Sequence, residues 1–185
     1  AKAVEDIAYV KALADEMGGA DRVQRQHEAG RYTVRERMEK FCDPGSFLEM
    51  GHLVGAADYD SEGNLTSFSP GGYVMGLGEI SGRPVSVGGD DFTLSGGSPH
   101  DVFKIPHHFA QPLALTYGIP YVQLREGVGH SSKQDEQDGH MGLPQGDLWY
   151  EGVELLRNVP VASAILGSVA GWPAAAALLS HFTVM

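Results

Sequence analysis

Ile119-Pro120-Tyr121-Val122-Gln123-Leu124, a short apolar run containing β-formers, leads directly into Arg125-Glu126-Gly127-Val128-Gly129-His130-Ser131-Ser132. A buried strand that empties into a glycine-rich turn leaves backbone N–H groups unpaired at its carboxyl end. In open α/β folds that end is where ligands sit. Amides aimed at one point hold a developing oxyanion, a contribution often worth several kcal/mol in catalysis. An ordinary β-to-loop connection carries the same local pattern, because glycine pairs occur in many turns. Ser95-Gly96-Gly97-Ser98 and the Gly167-to-Trp172 segment supply two more small-residue turns.

Other reactive side chains give weaker patterns. His100, His107, His108, His130 and His140 crowd a glycine-rich region, and histidine is a common metal ligand. Adjacent His107 and His108 would point apart on a helix, and no His-x-x-x-His pair with a carboxylate signature occurs, so no metal is assigned. His130 or His140 could instead act as a general acid or base near neutral pH. Arg35-Glu36-Arg37-Met38-Glu39 reads as a solvated helical face, with a phosphate site as the competing reading. Cys42 is the single cysteine. It excludes an intrachain disulfide and a thiolate zinc cluster, and suits a reducing compartment, cytoplasm or mitochondrial matrix.

These residues need a core to position them, and 185 residues with 42% hydrophobic content are enough for one domain. The net charge of −11, from 24 acidic against 13 basic residues, argues against a nucleic-acid surface. It leaves room for a few local cations to bind a phosphate. The amino end carries acidic residues and no long apolar run, so no signal peptide is expected. The apolar stretch from Val159 to Met185 is broken by Gly167, Gly171, Pro173 and His181, and reads as a buried strand and helix rather than a membrane span. It stops at Phe182-Thr183-Val184-Met185 without a turn residue, which suggests a truncated product or one piece of a larger assembly.

Taken in order, Ile7 to Met17 has apolar residues at helical spacing, closed by Gly18-Gly19. A second helix is expected over 21–28. Thr33-Val34-Arg35-Glu36 fits a capping box opening a third helix, with Met38 and Phe41 inward. Phe47 to Met50 is a short strand, and Asp58 to Pro70 a polar loop with Ser61-Glu62-Gly63-Asn64 at its tip. Tyr73 to Ile80 and Val85 to Val87, joined at Ser81-Gly82-Arg83-Pro84, form a β-hairpin. Asp101 to Tyr117 reads as a helix with Val102, Ile105, Phe109 and Leu113 on one side, kinked or interrupted by Pro106 and Pro112. After the strand ending at Leu124 comes a polar loop, 131–145. A helix over 147–158 then faces Leu148, Val153, Leu155 and Leu156 inward. A strand over 159–166 and a small-residue helix over 174–179 follow. Alternating strands and helices from 85 onward imply parallel pairing.

Several of these stretches together resemble one family. Arg22-Val23-x-x-Gln26-His27-x-x-Gly30-x-x-Thr33-x-Arg35-Glu36-Arg37 and Asp43-Pro44-Gly45-Ser46-Phe47-x-Glu49 are similar to the amino-terminal region of biotin-dependent acyl-CoA carboxylase carboxyltransferase subunits. So are Gly76-x-Gly78-x-Ile80-x-Gly82-Arg83-Pro84-Val85, Asp91-Phe92-Thr93 with Ser95-Gly96-Gly97-Ser98, Lys104-Ile105, and Pro160 through Gly171 to Met185. The resemblance runs from about residue 21 to the end. It implies an α/β, crotonase-like fold of repeated ββα units, present as a partial domain. Residues 1–45 would be a helical lead-in and 46–185 the ββα core of the amino-terminal part of a carboxyltransferase N-domain.

The resemblance further implies transfer of a carboxyl group from carboxybiotin, carried on a partner protein, to the α-carbon of an acyl-CoA. An enolate forms in that reaction, and its oxygen is held by backbone N–H groups. The matching turns place catalytic donors at Gly129 and His130, and at Gly171 and Trp172. Arg35, Arg37 and Lys104 become candidates for the coenzyme A phosphates, with Gly96 and Gly97 also in substrate binding. Implied partners are the remaining carboxyltransferase half or subunit, a biotin carboxylase or biotin carrier subunit, and further copies in a homo-oligomer; neither nucleic acid nor membrane is expected. Where the family has Asp-Ser-Gly-Gly-Ala-Arg, this sequence has Glu126-Gly127-Val128-Gly129-His130-Ser131, and Trp172 replaces a second glycine. Those departures keep two other readings open: an enolate-forming acyl-CoA decarboxylase needing no biotin, and a non-catalytic structural subunit.

Overall fold

The computed structural model describes residues 2–97, 107–129 and 146–185, without the side chains of 107, 108 and 146–149. The expectations for 98–106 and 130–145, Lys104 and His130 among them, lie outside the described residues.

Three helices lead in: α1 (Lys2–Asp15), α2 (Ala20–Glu28) and α3 (Val34–Phe41). The capping box at α3 forms as the spacing predicts. Glu36 N–H donates to Thr33 Oγ1 at 3.4 Å, and Thr33 N–H donates back to Glu36 Oε2 at 2.7 Å. That cap satisfies two amides that helix geometry would otherwise orphan, and sets Val34 and Met38 against the sheet. Phe41, expected inward, is partly exposed, since it lies on the flank of the stripe that Val34 and Met38 define. On α1 the apolar stripe is largely solvent-facing, and only Ala14 is buried.

Strands β1 (Leu48–Met50), β4 (Tyr73–Ile80), β5 (Arg83–Asp90), β6 (Tyr121–Gly127), β7 (Val161–Val169) and β8 (Phe182–Val184) make one sheet in the order β1-β4-β5-β6-β7-β8. The β4–β5 hairpin is antiparallel, with Ile80 opposite Arg83, and β5 through β8 run parallel, as the alternating elements imply. The region read as a polar loop is instead a second antiparallel sheet, β2 (Gly55–Tyr59) with β3 (Leu65–Pro70). Its polar side chains are compatible with a hairpin exposed on much of both faces.

Alternation along the strands divides the core. Tyr73, Met75, Tyr121 and Val161 meet Ala110, Ala114 and Leu155 of helices α4 (His107–Tyr117) and α5 (Gly146–Asn158). Val74, Val87, Val122 and Leu124 meet Val34, Met38 and Cys42 on the opposite face. Leu155 is buried as expected, but Phe109 and Val153 face outward; the sheet is covered by Ala110 and Ala114, which let α4 approach closely. Pro112 sits inside α4 without ending it. Helix α6 (Trp172–Leu178) lies on the α4 side, where Gln123 Nε2 donates to Ala176 O at 3.4 Å.

β6 is longer than the apolar run predicts. It continues through Arg125, Glu126 and Gly127, all buried. The charged pair read as the start of the turn is therefore the end of a central strand, made tolerable by partners on both faces.

Candidate active site at the carboxyl ends of the parallel strands

Parallel β5, β6 and β7 deliver three small-residue turns to one edge of the sheet, and the turns interlock. Val128 N–H donates to Gly96 O at 3.0 Å, and Ala170 N–H donates to Gly127 O at 3.0 Å. The contact requires glycine. A Cβ on Gly97 would lie 2.8 Å from Gly127 Cα, and one on Gly129 would lie 2.9 Å from Gly171 Cα. Gly97 and Gly171 also hold φ of +71° and +67°, where a side chain is strained. Gly96 and Gly97 form the short 3-10 turn after β5.

Within this junction Gly129 is buried, and its amide makes no hydrogen bond among the described residues, nor does that of Gly171. A buried unpaired N–H is rare in a folded protein and is costly unless something meets it. The Gly129 amide lies just past the carboxyl end of β6, an interior strand of the parallel set, the end at which ligands of open parallel sheets sit. Trp172, half-buried, opens α6 immediately after Gly171, and its backbone nitrogen lies against Gly129.

Two buried ionic networks hold the strand that feeds the turn. Toward α4, Arg125 Nη1 donates to Asp90 Oδ1 at 3.1 Å, Nε and Nη2 donate to Gln123 Oε1, and the guanidinium lies over the Tyr73 ring. Burial works against the charge of Arg125, but Asp90 and the neighbouring tyrosines hold its pKa above the usual arginine value. Toward α3, Glu126 accepts from Gln26 Nε2 at 2.9 Å, from Arg31 Nη1 at 2.7 Å and from Arg37 Nη2. Sequence reading missed both sets. Apart from Gln123, two positions from Arg125, their partners lie 35 to 100 positions away, and the one available signal was a run of charge inside a strand.

The arginines expected to meet coenzyme A are engaged within the chain. Arg37 is 7% exposed and committed to Glu126. Arg35 forks onto Glu49, with Nη2 donating to Oε1 at 2.7 Å and Nε to Oε2 at 3.2 Å, and Nη1 donates to Ala14 O. Asp15, Glu49 and His52 bring potential ligand atoms within 4.8 Å of one another. The Arg35 guanidinium already pairs with both carboxylates of that cluster, Glu49 and Asp15.

The sequence pattern described as the carboxyl transferase domain matches residues 25–185. The chain belongs to the carboxyl transferase family. This carboxyl transferase chain is 32% identical over 183 residues to the carboxyltransferase subunit of propionyl-CoA carboxylase from Haloferax mediterranei, covering 98% of this chain and 35% of that one. It is 32% identical to the methylmalonyl-CoA decarboxylase subunit alpha of Veillonella parvula, covering 98% and 34%. A solved structure of transcarboxylase 12S, described as a hexamer assembly with methylmalonyl-coenzyme A and methylmalonic acid bound, superimposes with a TM-score of 0.81 at 29% identity, over 98% of this chain and 35% of that one. The chain thus spans about a third of the length of the relatives it matches. The expected crotonase-like α/β fold, present as a partial domain, is the fold of this carboxyl transferase chain.

Proposed function

We propose that the protein to which this chain contributes is a biotin-dependent acyl-CoA carboxyltransferase, moving a carboxyl group between carboxybiotin and the α-carbon of an acyl-CoA. The observation that carries this reading is the buried amide of Gly129, without a hydrogen-bond partner among the described residues, at the junction of three parallel-strand turns. Loss of the α-proton from an acyl thioester moves an electron pair onto the carbonyl oxygen. A fixed N–H at that oxygen stabilises the enolate more than the ground-state carbonyl, which is what lowers a barrier. Gly129 and Gly171 supply such donors, and His130 is proposed beside them. Trp172, next in line, forms the wall behind Gly129. Gly96 and Gly97 brace the turn through Val128 and stay in the proposal as substrate-binding backbone.

Carboxybiotin, brought by a partner protein, supplies the carboxyl group. An amide with no partner among the described residues fits the anionic oxygen formed in its acceptor. Lys104 remains the proposed cation for the coenzyme A phosphates, whereas Arg37 ties α3 to β6 and Arg35 ties it to β1 and α1. The full assembly is proposed to include the rest of the carboxyltransferase, a biotin carrier subunit and further copies of the chain, in keeping with the hexameric relative. No described helix is long and apolar enough to cross a membrane. The buried Cys42 suits the cytoplasm or a mitochondrial matrix.

The test is movement of labelled carboxyl from a carboxylated short-chain acyl-CoA to biotin by the assembled protein. Label on biotin is expected. Failure with every short acyl-CoA tried would overturn the reading, and carboxyl loss without biotin would replace it with a biotin-independent decarboxylase.

A further inference from the structure

We infer that Glu126 is a positioning residue, whose carboxylate, gripped by Gln26, Arg31 and Arg37, fixes the Gly129 amide in place. The inference rests on the functional reading above and assigns the task of holding the donor to a side chain three residues before it.

Glu126 is completely buried, and both ends of the residue are anchored. Its main-chain N–H donates to Asp90 Oδ2 at 3.3 Å, and its two carboxylate oxygens accept from three side chains. These donors come from different places: Gln26 from α2, Arg31 from the α2–α3 link, Arg37 from α3. The lead-in helices are thereby tied to the end of β6. On the far side, Gly167 of β7 makes room for the carboxylate, since a Cβ there would lie 2.6 Å from Glu126 Cδ. After this anchor, Gly127 O and Val128 N–H are spent on the neighbouring turns. Gly129 then follows, its amide without a partner among the described residues, at a position the preceding three residues leave little freedom to change.

Stability alone accounts poorly for this arrangement. Desolvating a carboxylate and a guanidinium offsets most of their attraction, and an apolar set of the same shape would serve a core as well. Placement does account for it, because a catalytic donor works only when held to a fraction of an ångström by a rigid supporting shell. Two guanidinium groups grip the Glu126 carboxylate from different elements. Arg31 is 31% exposed, its buried Nε has no partner among the described residues, and its guanidinium lies over the Phe92 ring.

The experiment compares the full-length assembled protein with its Glu126→Gln variant by amide exchange and by steady-state kinetics. Positioning predicts that amides 127–129 exchange at least about ten times faster, while Val87 and Val122 in the core keep their protection. It also predicts a fall in kcat of about ten- to a hundred-fold, with the acyl-CoA KM changed less than about two-fold. Arg31→Gln removes one of the three donors at a partly exposed site. It serves if Glu126→Gln does not fold, with the same pattern at smaller amplitude. Unchanged exchange at 127–129, exchange accelerated uniformly through the core, or a raised KM at constant kcat would each overturn the inference. If the wild type transfers no carboxyl group, the functional reading falls, while the exchange measurement still decides whether Glu126 holds the turn.

Discussion

Val128 gives its amide hydrogen to the carbonyl of Gly96 at 3.0 Å, joining the turn after β6 to the turn after β5. The turn after β7 joins from the other side, where Ala170 N–H donates to Gly127 O, so both polar groups of the 127–128 peptide are held. Gly129 follows that held peptide directly. A Cβ on it would lie 2.8 Å from Trp172 N and 2.9 Å from both Ala170 O and Gly171 Cα. Gly129→Ala must therefore displace its own amide or open the junction. Turnover of the assembled enzyme is expected to fall by about 10²–10³, the usual cost of one oxyanion donor. Initial rates on folded variant would check this, and unchanged turnover would instead favour a non-catalytic subunit.

Gly171→Ala tests the same contact from the opposite wall. The residue holds φ of +67°, and its Cβ would sit 3.0 Å from Gly129 Cα. With ψ of −134° it lies outside the left-handed helical well, in backbone that costs a residue with a side chain about 1–3 kcal/mol, before the contact adds to it. A loss of about 1–3 kcal/mol in urea unfolding is expected, together with reduced turnover. A variant as stable as the wild type would show that the turn relaxes freely.

Arg125→Met should be among the most destabilising single changes. It leaves Asp90, 1% exposed, without its cation. Breaking a buried pair on one side costs about 3–5 kcal/mol, whereas replacing both partners costs far less. Arg125→Met with Asp90→Asn is accordingly expected to recover a substantial part of the loss. Urea midpoints of the two single variants and the double variant form the cycle that checks it.

Local signals were readable, and distant pairings were not. The capping box at Thr33 and the β4–β5 hairpin depend on residues a few positions apart, so spacing alone revealed them. The parallel order of β5, β6 and β7 followed from their alternation with helices. By contrast, β2 and β3 carry polar residues on an exposed hairpin, which leaves no burial periodicity to detect. Arg125 and Glu126 looked like a turn because charge is rare in a buried strand. What makes them tolerable there, Asp90 on one face and Gln26, Arg31 and Arg37 on the other, is invisible until the chain folds. In the candidate site, the glycines were legible and the side chains that hold them were not. Arg35 and Arg37, read from the surface charge pattern, turned inward to Glu49 and Glu126.

Asp91 offers a pH-dependent test of the same sheet edge. Its Oδ1 accepts from Thr93 N–H at 2.9 Å and from Thr93 Oγ1 at 2.6 Å, while its buried Oδ2 has no hydrogen-bond partner among the described residues. Burial pushes its carboxyl pKa up, and the Thr93 bonds with nearby Arg35 and Arg37 offset only part of that. A carboxyl raised on folding binds its proton more tightly in the native state than in the unfolded one. Its contribution is fully present below the unfolded value of about 3.9, and is lost as pH rises through the raised native value. Asp91→Asn cannot ionise, so the stability of the wild type relative to this variant should decrease from about pH 4 upward. Urea midpoints for both proteins at several pH values measure the difference, with other titrating groups cancelling. A difference that stays constant across that range would show that Asp91 ionises as easily in the fold as in the open chain.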